Sequence, residues 1–167
     1  SGNQAILNKM HKGIKLEWSK QYVKNAKKAG LIIHGCFMVG NPGDTKETME
    51  ETFQLSLKLN PDTAQFFPLM VYPGTEAYKW AQTRGYLTTN DFSKWVTEDG
   101  LHSCIISTPE ISAEELVAFC DEARRRYYLR PAYIFSKLRQ FIFYPAERKR
   151  LLKAGVRFIK FISKKGK

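Results

Sequence analysis

The chain has 167 residues, 43% of them hydrophobic and 13% aromatic, enough to bury a core in one domain with an appendage. No apolar run approaches the ~18 to 20 residues of a membrane span, and Ser1-Gly2-Asn3-Gln4 lacks the basic, apolar and small-residue regions of a secretory leader, so the expectation is a cytoplasmic protein. The net charge of +11 is unevenly placed: residues 1–122 hold 12 Lys/Arg against 15 Asp/Glu, whereas residues 123–167 hold 15 Lys/Arg against Glu147 alone, and different partners are expected for the two parts.

Ile6, Leu7 and Met10 recur at helical spacing over 4–11, with Gly13 expected as the stop. A second helix is predicted over 17–29, its stripe formed by Trp18, Tyr22, Val23 and Ala26 and its end by Gly30. The apolar run 31–39, bounded by glycines, reads as a strand buried on both faces. The loop Gly40-Asn41-Pro42-Gly43-Asp44 leads into a helix capped by Thr45 or Asp44 and ended by Asn60-Pro61. A second buried strand is predicted over 63–72, followed by Pro73-Gly74-Thr75 and a helix capped by Thr75 that runs through Thr83 and stops at Gly85. Residues 88–100 read as polar turns and 103–108 as one short strand. Ser112-Ala113-Glu114-Glu115 is a capping box, and Arg130-Pro131 and Tyr144-Pro145 open two further helices, the last over 146–163.

The expected fold class is α/β: two parallel βα units over 1–87, an irregular connection over 88–111, and a basic helical region over 112–167. Two buried strands are too few to cover the faces of a parallel sheet, so about four further strands are expected before Ser1 by analogy with barrels of six to eight strands.

Period-2 alternation puts His34 and Cys36 on a face with Ile32 and Met38, opposite Leu31, Ile33, Gly35, Phe37 and Val39. Gln65 falls with Thr63, Phe67 and Leu69. For His34, Cys36 and Gln65 two readings stand, contact with substrate in a cavity or hydrogen-bonded burial in a core. Glycines at the two strand exits allow close backbone approach to a ligand, and the amides opening the following helices favour an anionic group. Cys36, Cys104 and Cys120 are too scattered for a disulfide framework or a metal site and read as small buried side chains.

Ser1-Gly2-Asn3-Gln4, His34-Gly35-Cys36-Phe37-Met38-Val39-Gly40-Asn41-Pro42-Gly43-Asp44-Thr45 and Tyr72-Pro73-Gly74-Thr75 occur in an order and spacing that resembles the fourth-strand exit, fifth strand and sixth-strand exit of radical S-adenosylmethionine enzymes. Arg124-Arg125-Arg126-Tyr127-Tyr128-Leu129-Arg130-Pro131 is similar to the tail of the cobalamin-binding subgroup, which includes anaerobic magnesium-protoporphyrin monomethyl ester cyclases and certain methyltransferases. The resemblance implies the C-terminal part of a TIM-type barrel in a parent oxidoreductase or methyltransferase that uses S-adenosylmethionine, a 4Fe-4S cluster and cobalamin. It implies Ser1 and Gly2 near the ribose and methionine of S-adenosylmethionine, and Val39, Gly40, Met70 and Tyr72 along its adenine. The family's Cys-x-x-x-Cys-x-x-Cys cluster loop is absent from this sequence. The chain alone is therefore expected to be inactive and without bound cofactor, with the N-terminal half of the same polypeptide and a small-molecule substrate as partners.

A different class of function is an interaction module. In the last helix Leu151, Leu152, Val156, Phe158, Ile159 and Ile162 gather on one side, with Arg150, Lys153, Arg157, Lys160 and Lys164 mostly elsewhere. That pattern suits packing on the chain's own core, or docking on an anionic membrane surface. Nucleic acid is the less favoured partner, since no nucleic-acid-binding motif is present. A self-contained nucleotide-binding enzyme using Gly40 to Thr45 fits poorly, because the loop matches no phosphate-binding pattern and Pro42 lacks an amide donor.

Overall fold

The structure, a computed structural model, describes residues 1–96 and 103–164. It forms two compact units, residues 1–124 and 125–167. The first unit holds α1 (Gln4–Lys9), α2 (Leu16–Lys28), β1 (His34–Val39), α3 (Lys46–Leu59), β2 (Thr63–Pro68) and α4 (Glu76–Thr83). A 3-10 turn (Phe92–Trp95) and most of α5 (Ala113–Tyr128) complete it. The second holds the end of α5, α6 (Pro131–Phe143), a 3-10 turn (Pro145–Glu147) and α7 (Arg148–Lys164).

Local chemistry sets the helix ends. Asn3 caps α1 by accepting from the Ile6 amide at 3.1 Å. Its stop is not Gly13: His11 takes the left-handed conformation at φ 51°, and its amide and that of Lys12 donate to Asn8 and Leu7 carbonyls, the paired closure of a Schellman motif. The same closure ends α2 at Gly30, where the Gly30 and Leu31 amides reach the Lys27 and Ala26 carbonyls. The stripe expected on α2 divides. Val23 and Ala26 are buried, whereas Trp18 and Tyr22 remain 56% and 68% exposed. For α3 the cap is Thr45, in a reciprocal capping box with Thr48, and Asn60 ends the helix with φ 46°. Ser112 and Glu115 form the expected box at α5, Glu115 N–H to Ser112 Oγ at 3.2 Å and Ser112 N–H to Glu115 Oε2 at 2.9 Å.

β1 and β2 pair in parallel, with His34 opposite Thr63, Cys36 opposite Gln65 and Val39 opposite Pro68. Both strands are shorter than the apolar runs suggest. Leu31 and Ile32 are exposed; the ladder starts where the Thr63 amide donates to Ile33 O at 3.2 Å and the Ile33 amide to Asp62 Oδ2 at 2.9 Å. It ends at Pro68, which brings no amide, the last bond running from Leu69 N–H to Val39 O at 2.7 Å. The expectation of strands buried on both faces is corrected as well. Phe37, Val39, Ala64 and Phe66 are buried, Phe66 lying 5.3 Å from Phe37 and 5.9 Å from Phe53 of α3 by ring centroids. The other face is open.

Past β2 the chain leaves the ladder and builds a second core from Leu69, Val71, Ala81, Trp95, Ile105 and Ile106. The short strand predicted over 103–108 does not form; a single antiparallel bridge joins Leu87 and Ile106. Ile105 and Ile106 are both buried, and consecutive burial is incompatible with the alternation of a one-sided strand. The stretch read as turns contains the 3-10 turn, where Asp91 accepts from the Ser93 amide at 3.0 Å and Trp95 enters the core. Residues 97–100 of that stretch lie outside the described residues.

In the second unit Tyr127, Tyr128, Tyr133 and Phe158 form a ring cluster with centroids 5.1 to 5.5 Å apart, and the Arg130 guanidinium lies 4.2 Å from the Tyr127 centroid. Pro131 opens α6 as expected. Arg148 donates to the Phe141 and Ile142 carbonyls at 2.9 and 3.1 Å, satisfying the end of α6. The apolar side read for the last helix divides in two: Leu151, Phe158 and Ile162 are half-buried, and Leu152, Val156 and Ile159 are exposed. The chain is thus α/β, with a two-stranded parallel sheet and helices in the majority.

Candidate functional site

The open face of the sheet carries polar side chains in a row fixed by the parallel register. His34 sits beside Thr63, with Nδ1 and Oγ1 2.7 Å apart, and Cys36 sits beside Gln65, both exposed. Met38 and Phe67, half-buried, continue the row. The alternation of 2.0 residues read from the sequence holds here, since Phe37 and Val39 turn the other way. Leu69 departs from it: expected beside Gln65, it is buried in the second core because the ladder has already ended. An imidazole, a hydroxyl, a thiol and an amide beside a thioether and a phenyl ring can orient a substrate by hydrogen bonds and apolar contact.

The loop at the carboxyl end of β1 is where parallel α/β folds place ligands. Val39 is fully buried. Gly40 has φ 81°, and a Cβ there would lie 2.9 and 3.0 Å from the two methyl groups of Leu116 on α5, so packing against α5 already requires glycine. Asn41 and Asp44 are buried. The Asp44 carboxylate accepts from the Asn41 amide at 2.8 Å, from Asn41 Nδ2 at 3.0 Å and from Thr48 Oγ1 at 2.7 Å. Thr45 N–H donates to Thr48 Oγ1 at 2.8 Å. The Asp44 carboxylate thus lies beside the opening of α3, bonded to Asn41 and to the Thr48 hydroxyl, while the Thr48 amide is taken by Thr45 Oγ1 at 3.4 Å. Asn41, whose buried Oδ1 has no partner among the described residues, borders a cavity of about 220 Å³ lined also by Trp80, Arg84, Tyr86 and Glu110.

Ser1 and Gly2 are held against the middle of α3. Gly2 N–H donates to Thr52 Oγ1 at 2.8 Å, and Ser1 Oγ lies 3.5 Å from it. A Cβ on Gly2 would collide with the Glu51 carbonyl and Thr52 Cα. Met70 is half-buried against the second core, and Tyr72 is exposed, its carbonyl accepting from Thr75 N–H at 3.1 Å and Thr75 Oγ1 at 2.7 Å. Thr48, Thr52 and Asp44 organise this region, and sequence reasoning missed the first two. Thr52 is fully buried on the inner side of α3; a threonine among the apolar positions of an amphipathic helix is the signal that marks it.

Among the described residues no three His, Cys, Asp or Glu side chains come together in a set that could hold a metal ion. Cys36 is exposed rather than buried, Cys104 half-buried and Cys120 buried. Burial pushes the Cys120 thiol up to about 12, against a smaller opposing effect of Arg124, and raises Cys104 too. These are poor ligands for an iron-sulfur cluster, which needs thiolates on neighbouring positions. Nor does any helix among the described residues have the length and apolarity to cross a membrane.

No protein-family profile matches the chain. Over 83% of its length it is 32% identical to an uncharacterized methyltransferase of Pyrococcus horikoshii. Over 77% it is 24% identical to the anaerobic magnesium-protoporphyrin IX monomethyl ester cyclase of Cereibacter sphaeroides, and over 52% it is 30% identical to a probable threonylcarbamoyladenosine tRNA methylthiotransferase of Pyrococcus abyssi. It spans 29%, 20% and 21% of these relatives' own lengths. Such relatives are radical S-adenosylmethionine family members, and the chain is a related segment of the radical S-adenosylmethionine type.

Proposed function

We propose that the chain is the C-terminal part of a radical S-adenosylmethionine oxidoreductase or methyltransferase, with β1 and β2 as two strands of an incomplete TIM-type barrel. One observation carries this reading: a parallel strand pair packed by α3 on one face presents His34, Thr63, Cys36 and Gln65 on the other. Parallel sheets are ordinarily covered on both faces, so an open, mixed polar and apolar face suits the wall of a cavity completed by further polypeptide of the same protein.

S-adenosylmethionine and a reduced 4Fe-4S cluster supply hydrogen-abstracting chemistry when bound. The chain's own residues position and enclose. His34, Cys36 and Gln65 orient substrate from the sheet, while Ser1 and Gly2, held beside α3, serve the ribose and methionine side of the cofactor. The Gly40 backbone, with Met70 and Tyr72 past β2, serves the adenine side, and buried Val39 acts by holding Gly40 in place. The described residues offer no donor set for the cluster, so it belongs elsewhere in the parent. Cobalamin as a further cofactor rests on the likeness of Arg124 to Pro131 to the tail of the cobalamin-binding subgroup.

The test is reductive cleavage of S-adenosylmethionine by the 167-residue chain after treatment with iron, sulfide and reductant. No 5′-deoxyadenosine above background is expected, and robust turnover overturns the reading. In a polypeptide joined to its cluster-bearing part, His34→Ala and Gln65→Ala are expected to lower product formation while cofactor cleavage continues.

A further inference from the structure

The second unit turns two distinct kinds of apolar surface outward and inward. On α7 the inward row, Leu151, Phe158 and Ile162, is half-buried, with Phe158 5.2 Å from the Tyr128 ring, and this row satisfies the ordinary need of an amphipathic helix to pack on its own protein. A separate row remains outside it. Leu152, Val156 and Ile159 on α7, and Phe135, Leu138 and Ile142 on α6, are 53 to 71% exposed. Each set recurs at three- and four-residue steps and so runs along one side of its helix.

Charge identifies what such rows fit. At ~100° per residue, Lys149, Lys153 and Lys160 follow the α7 row within about a quarter turn, and all three are exposed. Residues 123–167 carry 15 Lys/Arg and one acid, Glu147, and Glu147 is bonded to Arg150 at 2.6 Å. No carboxylate elsewhere in that stretch offsets the lysines. A row of large apolar side chains bordered by ammonium groups matches the layering of an anionic bilayer surface, acyl chains beneath and phosphates above. A nucleic acid would engage the lysines and leave Leu152, Val156 and Ile159 in water.

We propose that α6 and α7 form an interfacial docking element for anionic phospholipid, lying on the bilayer surface without crossing it. This is independent of the catalytic reading above, since it uses none of the residues placed near cofactor or substrate.

The experiment is flotation of the 167-residue chain with phosphatidylcholine vesicles, with and without phosphatidylglycerol, at low and high salt. Binding to the anionic vesicles at low salt, lost at high salt, is expected. Each basic residue near such a surface strengthens partitioning about fivefold, so Lys149→Ser/Lys153→Ser/Lys160→Ser is expected to weaken it about a hundredfold. Leu152→Ser/Ile159→Ser is expected to weaken it by about tenfold or more through lost apolar burial. All five side chains are exposed, and unchanged circular dichroism checks that the fold persists. Absence of flotation at low salt overturns the proposal. So does equal binding to neutral vesicles, indifference to the lysine variant, or salt-sensitive binding to RNA by a chain that does not float.

Discussion

Gly40 separates two explanations for one residue, a ligand that needs a bare backbone and a helix that does. Gly40→Ala places a Cβ 2.9 and 3.0 Å from the Leu116 methyl groups while the backbone sits at φ 81°. The left-handed conformation costs a non-glycine residue about 1 kcal/mol or more, and crowding one carbon into a packed contact about 1 to 3 kcal/mol. The expected loss is therefore about 2 to 4 kcal/mol, a large part of the ~5 to 15 kcal/mol that holds a domain folded. Leu116 is buried, and Leu116→Ala alone is expected to cost about 2 to 5 kcal/mol by leaving a cavity. In the double variant the alanine Cβ enters that cavity, so the two losses fall short of additive by about 1 to 2 kcal/mol. Urea unfolding followed by circular dichroism measures all three. Strict additivity, or a Gly40→Ala loss below about 0.5 kcal/mol, refutes packing as the reason for the glycine and returns Gly40 to the ligand.

Thiol labelling at pH 8 is expected to proceed in the order Cys36, Cys104, Cys120, because the Cys120 thiol at about 12 leaves roughly one molecule in ten thousand as thiolate; mass spectrometry showing Cys120 modified early in the native chain contradicts its burial. Thr52→Val removes the acceptor of the Gly2 amide and is expected to cost about 1 to 3 kcal/mol, with faster hydrogen exchange in α1; unaltered exchange shows that the Gly2 to Thr52 bond does not anchor that segment. The Glu115 carboxylate is held below its ordinary value, chiefly by its bond to Lys46 and then by the Ser112 amide. A depressed carboxylate contributes stability at pH values above its ordinary titration near ~4.4 and loses it as the pH falls through the depressed value. Glu115→Gln keeps the capping box and loses the charge, so its urea midpoint is expected to fall less than that of the parent chain between about pH 5 and pH 3; parallel curves dismiss the Lys46 pair as a contributor.

Much of this molecule was legible in its residues alone, wherever a feature depends on neighbours in the chain. Thr45, Thr75 and Ser112 start helices and Gly30 and Gly85 stop them because capping acts across three to six positions. The alternation that turns His34 and Cys36 away from Phe37 and Val39 is a property of extended backbone, and the contrast between an acidic first part and a basic last part is a count. Tertiary structure decided the rest. Where the strands begin and end depends on the partner ladder at Ile33 and Pro68; whether Trp18, Tyr22 and Leu152 are covered depends on what packs there. Gly2 and Gly40 look like ligand-facing glycines in sequence, yet each lies against a helix that arrives from far along the chain, Gly2 against Thr52 and Gly40 against Leu116. Asp44, read as one candidate cap, proves to be a buried carboxylate bonded to Asn41 and the Thr48 hydroxyl. Contacts between distant residues leave no local periodicity, so only the folded arrangement reveals which of two chemically sensible roles a residue plays.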